Sequence, residues 1–221
     1  MKRTSWREKI NHSDFSNSIN SHGKQIVRAM IEEEVISYSK SLGRRLIALW
    51  LSHPNLIDLP VLLPYLGKCT CPERNLKALE SKRKSLESLS SYDTNIVLPF
   101  HSLNMLKYIK RYYGRYESIW GQEPFYDVIN ADFCGALSKE SSKVIESIFD
   151  YYVINDGGLL FLTVINKCRG NELVSGLEEI GNHIVKIAIA RNYELTYLKG
   201  FPLMYKGDSK AMCSYGWKAK F

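Results

Sequence analysis

Short apolar runs separated by amphipathic segments are the feature that most limits what this chain can fold into. The runs Leu46–Leu51 and Leu159–Ile165 are almost entirely apolar, as expected of strands buried on both faces of a parallel sheet. The segments Ser138–Val153 and Leu173–Arg191 carry apolar residues at helical spacing. Because strands and helices alternate along the chain, the sequence predicts an α/β domain with a mostly parallel sheet.

Weaker patterns elsewhere fit the same alternation. Further helices are predicted over 23–42, 56–66, 75–89 and 103–113, and further strands over 68–71, 95–100 and 125–132. Ser138 is suited to cap the helix that follows it, with Glu140 in the first turn. A turn is predicted at 155–158. The segments 193–205 and 211–221 alternate in part, which predicts a closing antiparallel hairpin.

The length of 221 residues suits one domain with a sizeable core. Residues 1–22 are polar, so we predict an N-terminal arm followed by a single domain over 23–221. No apolar run approaches the ~18–20 residues of a membrane helix, and the N-terminus lacks the apolar core of a signal peptide. The five cysteines are scattered and odd in number, which favours reduced thiols in a cytoplasmic protein.

The formal net charge of +7 is concentrated in the first half of this basic protein. Residues 1–116 hold 19 of the 30 Lys and Arg but only 10 of the 23 Asp and Glu. Within that half, residues 107–116 interleave basic side chains with tyrosines. Cations neutralise phosphates and tyrosines stack on unpaired bases, so a nucleic acid is a possible partner. The candidate contact residues are Lys107, Lys110, Arg111, Tyr112, Tyr113 and Arg115. Alternatively, the tyrosines pack half-buried against the sheet and the cations point to water.

Two stretches resemble the class I S-adenosylmethionine-dependent methyltransferases. Residues 126–135 (Tyr-Asp-Val-Ile-Asn-Ala-Asp-Phe-Cys-Gly) look like the family's fourth strand. Residues 155–163 (Asn-Asp-Gly-Gly-Leu-Leu-Phe-Leu-Thr) look like its entry into the fifth. With 95–101 as a third strand, the resemblance extends over residues 43–221. It implies a Rossmann-like, mostly parallel seven-stranded sheet with helices on both faces and a C-terminal antiparallel hairpin.

The resemblance also implies a function, the transfer of a methyl group from S-adenosylmethionine, with a nucleic acid as the expected acceptor. Glu73 would hold the ribose, because a carboxylate can accept two hydrogen bonds from a diol. The loop 52–55 would contact the methionine part of the donor. Asp132 would lie at the edge of the reaction centre as the candidate catalytic residue. The full set of expected donor-binding residues is Ser52, His53, Asn55, Glu73, His101, Ser102, Asp132 and Phe133.

The loop after the first strand departs from the family pattern. The family has a glycine-rich loop there, which lets the backbone pass close to the donor, whereas residues 52–55 read Ser-His-Pro-Asn. This departure favours the alternative of a binding module for nucleic acid or protein that kept the fold and lost the chemistry. An enzyme that uses a nicotinamide cofactor is a weaker alternative, because no GxGxxG motif is present.

The candidate site residues also have purely structural interpretations. Asp132 could cap a helix or a turn, and Glu73 could pair with a neighbouring basic side chain. His53 and His101 could be loop histidines without a role. These alternatives stay open at the level of the sequence.

The cysteines give no sign of a metal centre. Cys69 and Cys71 are two residues apart, but a structural zinc site needs four ligands and no second close pair follows. Cys134 follows Phe133 rather than the Pro or Thr of the cysteine-dependent cytosine methyltransferases, which favours a buried thiol. No metal is therefore expected.

Overall fold

A computed structural model describes residues 22–51, 59–73, 80, 83–85, 97–101, 105–112, 125–133, 135–166, 176–206 and 210–221. For Glu73, 97–101, 111 and 112 it describes the backbone alone. Residues 1–21 of the predicted N-terminal arm and the loop 52–55 therefore lie outside the described residues, and His22 begins the first helix.

Strands and helices alternate through the described chain, as the apolar pattern predicts. The helices are α1 (His22–Leu42), α2 (Met105–Tyr112), α3 (Lys139–Asp150) and α4 (Leu177–Ile189). The strands are β1 (Leu46–Trp50), β2 (Leu66–Glu73), β3 (Val97–His101), β4 (Tyr126–Asp132), β5 (Ile154–Ile165), β6 (Glu194–Tyr197), β7 (Leu203–Lys206) and β8 (Ala211–Lys220).

One sheet contains all of these strands, in the order β3-β2-β1-β4-β5-β8-β6. The first five strands in that order pair in parallel, and β8 pairs antiparallel with β5 and with β6. The short strand β7 also pairs antiparallel with β8. β6 pairs with residues 217–220 of β8 and β7 with residues 211–214, so the two occupy one interrupted position. The sheet thus has seven strand positions and closes with an antiparallel hairpin, which confirms the predicted fold class.

Helices cover both faces of the sheet, and each face has its own apolar core. Leu49, Ile129 and Leu160 belong to the core that includes α2, α3 and α4 side chains. Trp50 and Phe161, one residue along their strands, belong to the core on the α1 side. Side chains alternate across a strand, which explains why the central strands are apolar throughout.

Local signals account for several element boundaries. The Ser138 hydroxyl accepts a hydrogen bond from the Ser141 N–H, and the Ser141 side chain reaches back to the Ser138 backbone, so α3 begins with a capping box. Helix α1 ends before Gly43, which has φ +63°. The helix predicted over 56–66 is wrong in its described part, where Leu63–Tyr65 form a 3-10 turn and Leu66 begins β2. Pro60 and Pro64 interrupt that segment and disfavour a longer helix.

Strand β5 begins five residues before its predicted start. Tyr126 pairs with Ile154 and Val128 with Leu159, so the residues between them form a bulge within the strand. The bulge replaces the predicted turn at 155–158. Gly157 in this bulge has φ +75°, a conformation that favours glycine.

Candidate functional site

The parallel strands end at one edge of the sheet, and a crevice is expected where their order reverses. From β1 the chain proceeds outward to β2 and β3 on one side, and then to β4 and β5 on the other. Ligands of open α/β sheets bind outside the carboxyl ends of the strands at such a switch point. The candidate site therefore lies above the ends of β1 and β4, and we call this edge the carboxyl edge.

Two predicted donor-binding residues meet at the carboxyl edge. Glu73 is the last residue of β2 and His101 the last of β3, and they are register partners in the parallel pair. Neighbouring strands lie about 4.8 Å apart, so these two positions are adjacent. The structure thus brings together residues that stand 28 positions apart in the sequence.

Asp132 and Phe133 lie at the end of β4, on the other side of β1. The Asp132 side chain is exposed and Phe133 is half-buried. The Phe133 N–H donates to the Thr163 carbonyl at 2.9 Å, and the Leu51 N–H donates to the Asn130 carbonyl at 2.9 Å. These bonds continue the strand pairing to the carboxyl edge and fix where β4 ends relative to its neighbours.

A group of buried polar side chains near this edge was missed by the sequence analysis. Asn130, Thr163 and Ser214 lie on β4, β5 and β8, and each is at most 5% exposed. The Thr163 and Ser214 hydroxyls are 2.9 Å apart, whereas Asn130 Oδ1 has no hydrogen-bond partner. Their signal in the sequence was a polar residue inside an otherwise apolar strand.

The predicted nucleic-acid-binding segment is described in part. Lys107 and Lys110 are exposed on α2, and Arg111 and Tyr112 form its last turn. Tyr108 is buried, and its hydroxyl lies 2.6 Å from that of Tyr126. One tyrosine of the segment therefore packs in the core, as in the alternative interpretation, while the two lysines face solvent.

Several predicted site residues lie outside the described part of the chain. They are Ser52, His53, Asn55, Ser102, Tyr113 and Arg115. Within the described ranges, no three Cys, His, Asp or Glu side chains are grouped to hold a metal ion.

A buried carboxylate that accepts four hydrogen bonds lies at the opposite edge, where the strands begin. Asp127 is buried and accepts two hydrogen bonds of 2.8 Å from the Arg44 guanidinium. The Ile47 N–H and the Asn155 amide also donate to it, at 2.9 and 2.7 Å. Burial raises the pKa of Asp127, but the hydrogen bonds and the Arg44 charge outweigh it, so the pKa lies below its usual value.

This network joins the two stretches that carry the family resemblance. Asp127 belongs to the first and Asn155 to the second, and their side chains are hydrogen-bonded. A Cβ on Gly158 would lie 3.1 Å from the Asp127 carbonyl oxygen and 2.9 Å from that of Asn155. Asp127, Asn155 and Gly158 are therefore explained by how β4 and β5 pair, at the edge opposite the carboxyl edge.

The strand order, the parallel pairing and the antiparallel β8 define the fold of the class I S-adenosylmethionine-dependent methyltransferases. Solved structures of such enzymes superpose on the chain. Magnesium protoporphyrin IX methyltransferase (ChlM) from Synechocystis, solved with bound SAH, is 11% identical with a TM-score of 0.55, over 98% of this chain and 93% of that one. The N-methyltransferase NodS from Bradyrhizobium japonicum, in complex with S-adenosyl-L-homocysteine, is 12% identical with a TM-score of 0.53, over 86% of each chain.

Trm5b from Pyrococcus abyssi is 13% identical with a TM-score of 0.56, and the match covers 86% of this chain but 48% of that one. The chain therefore spans about half the length of that protein. No protein-family model matches the sequence, and no curated protein matches it either. Among the helices of the described residues, none has both the length and the apolar composition to cross a membrane.

Proposed function

We propose that this protein is an S-adenosylmethionine-dependent methyltransferase that acts on a nucleic acid. The observation that carries the proposal is the arrangement of Glu73, His101 and Asp132 at the ends of β2, β3 and β4, around the switch point of a methyltransferase fold. A carboxylate, an imidazole and a second carboxylate at these positions match the needs of a nucleoside ligand and a methyl acceptor.

The residues at the carboxyl edge fit the donor chemically. A carboxylate at the end of β2 can accept hydrogen bonds from both ribose hydroxyls. The next strand end carries His101, whose neighbour Ser102 completes the expected adenine side. When bound, S-adenosylmethionine supplies an electrophilic methyl group on a positively charged sulfur. Glu73 and His101 would orient the nucleoside so that this methyl group faces the end of β4.

Asp132 would act on the acceptor. Its exposed carboxylate at the end of β4 can accept a hydrogen bond from an acceptor N–H or O–H and orient the lone pair for transfer. Methyl transfer to a good nucleophile depends chiefly on alignment, so positioning accounts for most of the role assigned to Asp132.

The charge of α2 supports a nucleic-acid acceptor. This helix follows β3, so its first turn lies near the carboxyl edge, and Lys107 and Lys110 are exposed on it. The excess of basic residues in the first half of the chain adds to the attraction for phosphates. We propose that α2 and Arg115 guide a nucleic acid toward Asp132.

The described thiols are consistent with a reducing, cytoplasmic setting. Cys69, Cys71 and Cys213 are buried and are not joined in a disulfide. The Cys69 and Cys71 sulfurs are 3.8 Å apart, without a bond between them. This supports the cytoplasmic location that we propose for the enzyme.

Calorimetric titration with S-adenosylmethionine and with S-adenosylhomocysteine tests the proposed function. We expect binding in the micromolar range, weakened at least tenfold in Glu73→Ala, because a charged hydrogen bond contributes about 1.5–3 kcal/mol. Glu194→Gln is the matched control, since this exposed acid begins β6 at the opposite edge. A folded protein that binds neither compound would overturn the proposal and leave a binding module.

Acceptor screening then tests the second half of the proposal. Transfer of a labelled methyl group to single-stranded RNA, DNA and a protein extract would be compared for the unmodified enzyme and Asp132→Ala. We expect label in a nucleic acid, and its loss in the variant with donor binding retained. Label in protein alone would refute the nucleic-acid assignment.

A further inference from the structure

Asn130 carries an oxygen atom that the protein leaves without a partner. In the described residues, buried side-chain oxygen or nitrogen atoms without a hydrogen bond occur in Thr70, Asn130, Tyr193 and Trp217. Native proteins pair most buried polar atoms, so each exception requires an explanation. Of these four residues, Asn130 lies on β4. Its register partner is Trp50, the last residue of β1, so Asn130 is level with the end of β1.

The Asn130 side chain shares a face with Asp132. Residues two apart on a strand point to the same side, and Val128 on that side belongs to the core with α1. Asn130 is 5% exposed and Asp132 is exposed. Asn130 therefore lies one side-chain position below Asp132 on this face of β4, on the side away from the carboxyl edge.

The chemistry of the carboxamide defines what it can bind there. Its oxygen accepts hydrogen bonds and so requires an N–H or O–H donor from the ligand. Trp50 and Phe161, its register partners on either side, are apolar and buried, so in this setting a charged donor forms the stronger bond.

The loop that follows β1 explains why such a residue is needed. Residues 52–55 contain no glycine, the residue type that lets a backbone pass closest to a ligand. A side-chain acceptor on the neighbouring strand can bind the same part of the ligand without that approach. Glu73 and Asn130 lie on opposite sides of β1, about 10 Å apart across the sheet, since each strand spacing is about 4.8 Å.

We propose that Asn130 binds the ammonium group of the donor's amino-acid part, in place of contacts from a glycine-rich loop. The assignment rests on the proposed function, in which Glu73 holds the ribose of the same molecule. In this assignment the Asn130 side chain makes the contact that a glycine-rich loop would otherwise make, and the ammonium group becomes the hydrogen-bond partner of its oxygen.

Calorimetry with two ligands tests this assignment. S-adenosylhomocysteine has the amino-acid part, and 5′-methylthioadenosine has the same nucleoside and a thioether but no amino-acid part. We expect Asn130→Leu to weaken S-adenosylhomocysteine binding about tenfold and to leave 5′-methylthioadenosine binding unchanged. Thr163→Val is the matched control, because it removes a buried hydroxyl that already bonds to Ser214. It should leave the ratio of the two affinities unchanged.

A thermal melt without ligand adds a readout other than binding. Because Asn130→Leu removes an unpartnered buried acceptor, we expect its Tm to rise by about 2–4 °C. If that variant does not fold, Asn130→Asp, which keeps the size and an acceptor, is expected to retain the preference for S-adenosylhomocysteine.

The outcomes distinguish failure of the Asn130 assignment from failure of the proposed function. Unmodified protein that binds neither ligand overturns both. Unmodified protein that binds both, together with an Asn130→Leu variant that keeps their affinity ratio, overturns the role of Asn130 alone. A folded Asn130→Asp variant without preference for S-adenosylhomocysteine does the same.

Discussion

Removal of the Asp127 charge should destabilise this protein, because the carboxylate is buried and hydrogen-bonded. Four hydrogen bonds reach the Asp127 carboxylate, two from Arg44 and one each from the Ile47 N–H and the Asn155 amide. Together they tie the start of β1 to β4 and β5. Asp127→Asn keeps the size of the side chain but removes the charge that attracts these donors.

The size of the effect follows from the burial of each partner. Breaking a fully buried ion pair costs about 3–5 kcal/mol. The Arg44 side chain is 50% exposed, so its guanidinium regains water when the carboxylate is lost. One oxygen of the new amide can still accept from the Ile47 N–H. We therefore expect Asp127→Asn to lower the free energy of unfolding by about 2–3 kcal/mol.

Arg44→Gln should lower the free energy of unfolding by about 3–4 kcal/mol at neutral pH, because it leaves the Asp127 carboxylate buried without its cation. The pH dependence distinguishes it from the unmodified protein. In the unmodified protein the pKa of Asp127 is lowered. The stabilisation that the Asp127 carboxylate gives the fold is therefore complete above about pH 4 and is lost as the pH falls through the folded pKa. Without Arg44, burial raises the pKa of Asp127, so the deficit of the variant should shrink between pH 7 and pH 4.

Urea denaturation followed by circular dichroism at several pH values measures these differences. Asp150→Asn is the matched control, because Asp150 also accepts a hydrogen bond from an arginine, Arg191 at 2.6 Å, but is 45% exposed. We expect Asp150→Asn to lower the free energy of unfolding by less than about 1 kcal/mol. Equal losses for Asp127→Asn and Asp150→Asn, or a pH-independent deficit in Arg44→Gln, would refute the reasoning.

Two further predictions concern β5 and α2. Gly158→Ala should lower the free energy of unfolding by about 2–3 kcal/mol, because the added Cβ would lie 2.9 and 3.1 Å from backbone oxygens. Gly135→Ala is the control: its Cβ would have no atom within 4 Å, so the free energy of unfolding in the same urea assay should not change. Replacing Lys107 and Lys110 together by Gln should reduce the slope of log affinity against log salt by about 1.4 for a labelled single-stranded RNA; an unchanged slope would exclude contact of α2 with phosphates.

Elements with signals close in the sequence were predicted well. Helix α3 begins where Ser138 can cap it, and α1 ends where Gly43 allows a positive φ. The start of β5 was not predictable in this way. Its bulge arises from the pairing of Tyr126 with Ile154 and Val128 with Leu159, and these partners are about thirty residues apart.

In the candidate site, too, some features were predictable from the sequence and others were not. The adjacency of Glu73 and His101 was predictable, because the ends of parallel strands meet at one edge. Their roles stay predictions. Asn130 was missed, since an unpartnered oxygen is recognised only when every neighbouring side chain is in place. A polar residue within an apolar strand was the one signal that the sequence held.

The interrupted strand at the margin of the sheet has a consequence for association with other chains. A long, flat outer strand exposes a row of unpaired N–H and C=O groups that other chains can extend into an aggregate. Here that margin consists of two four-residue strands, β6 and β7, separated by residues 198–202. Pro202 in the gap has no N–H to offer. The break thus limits how far an incoming strand can pair along this side of the protein.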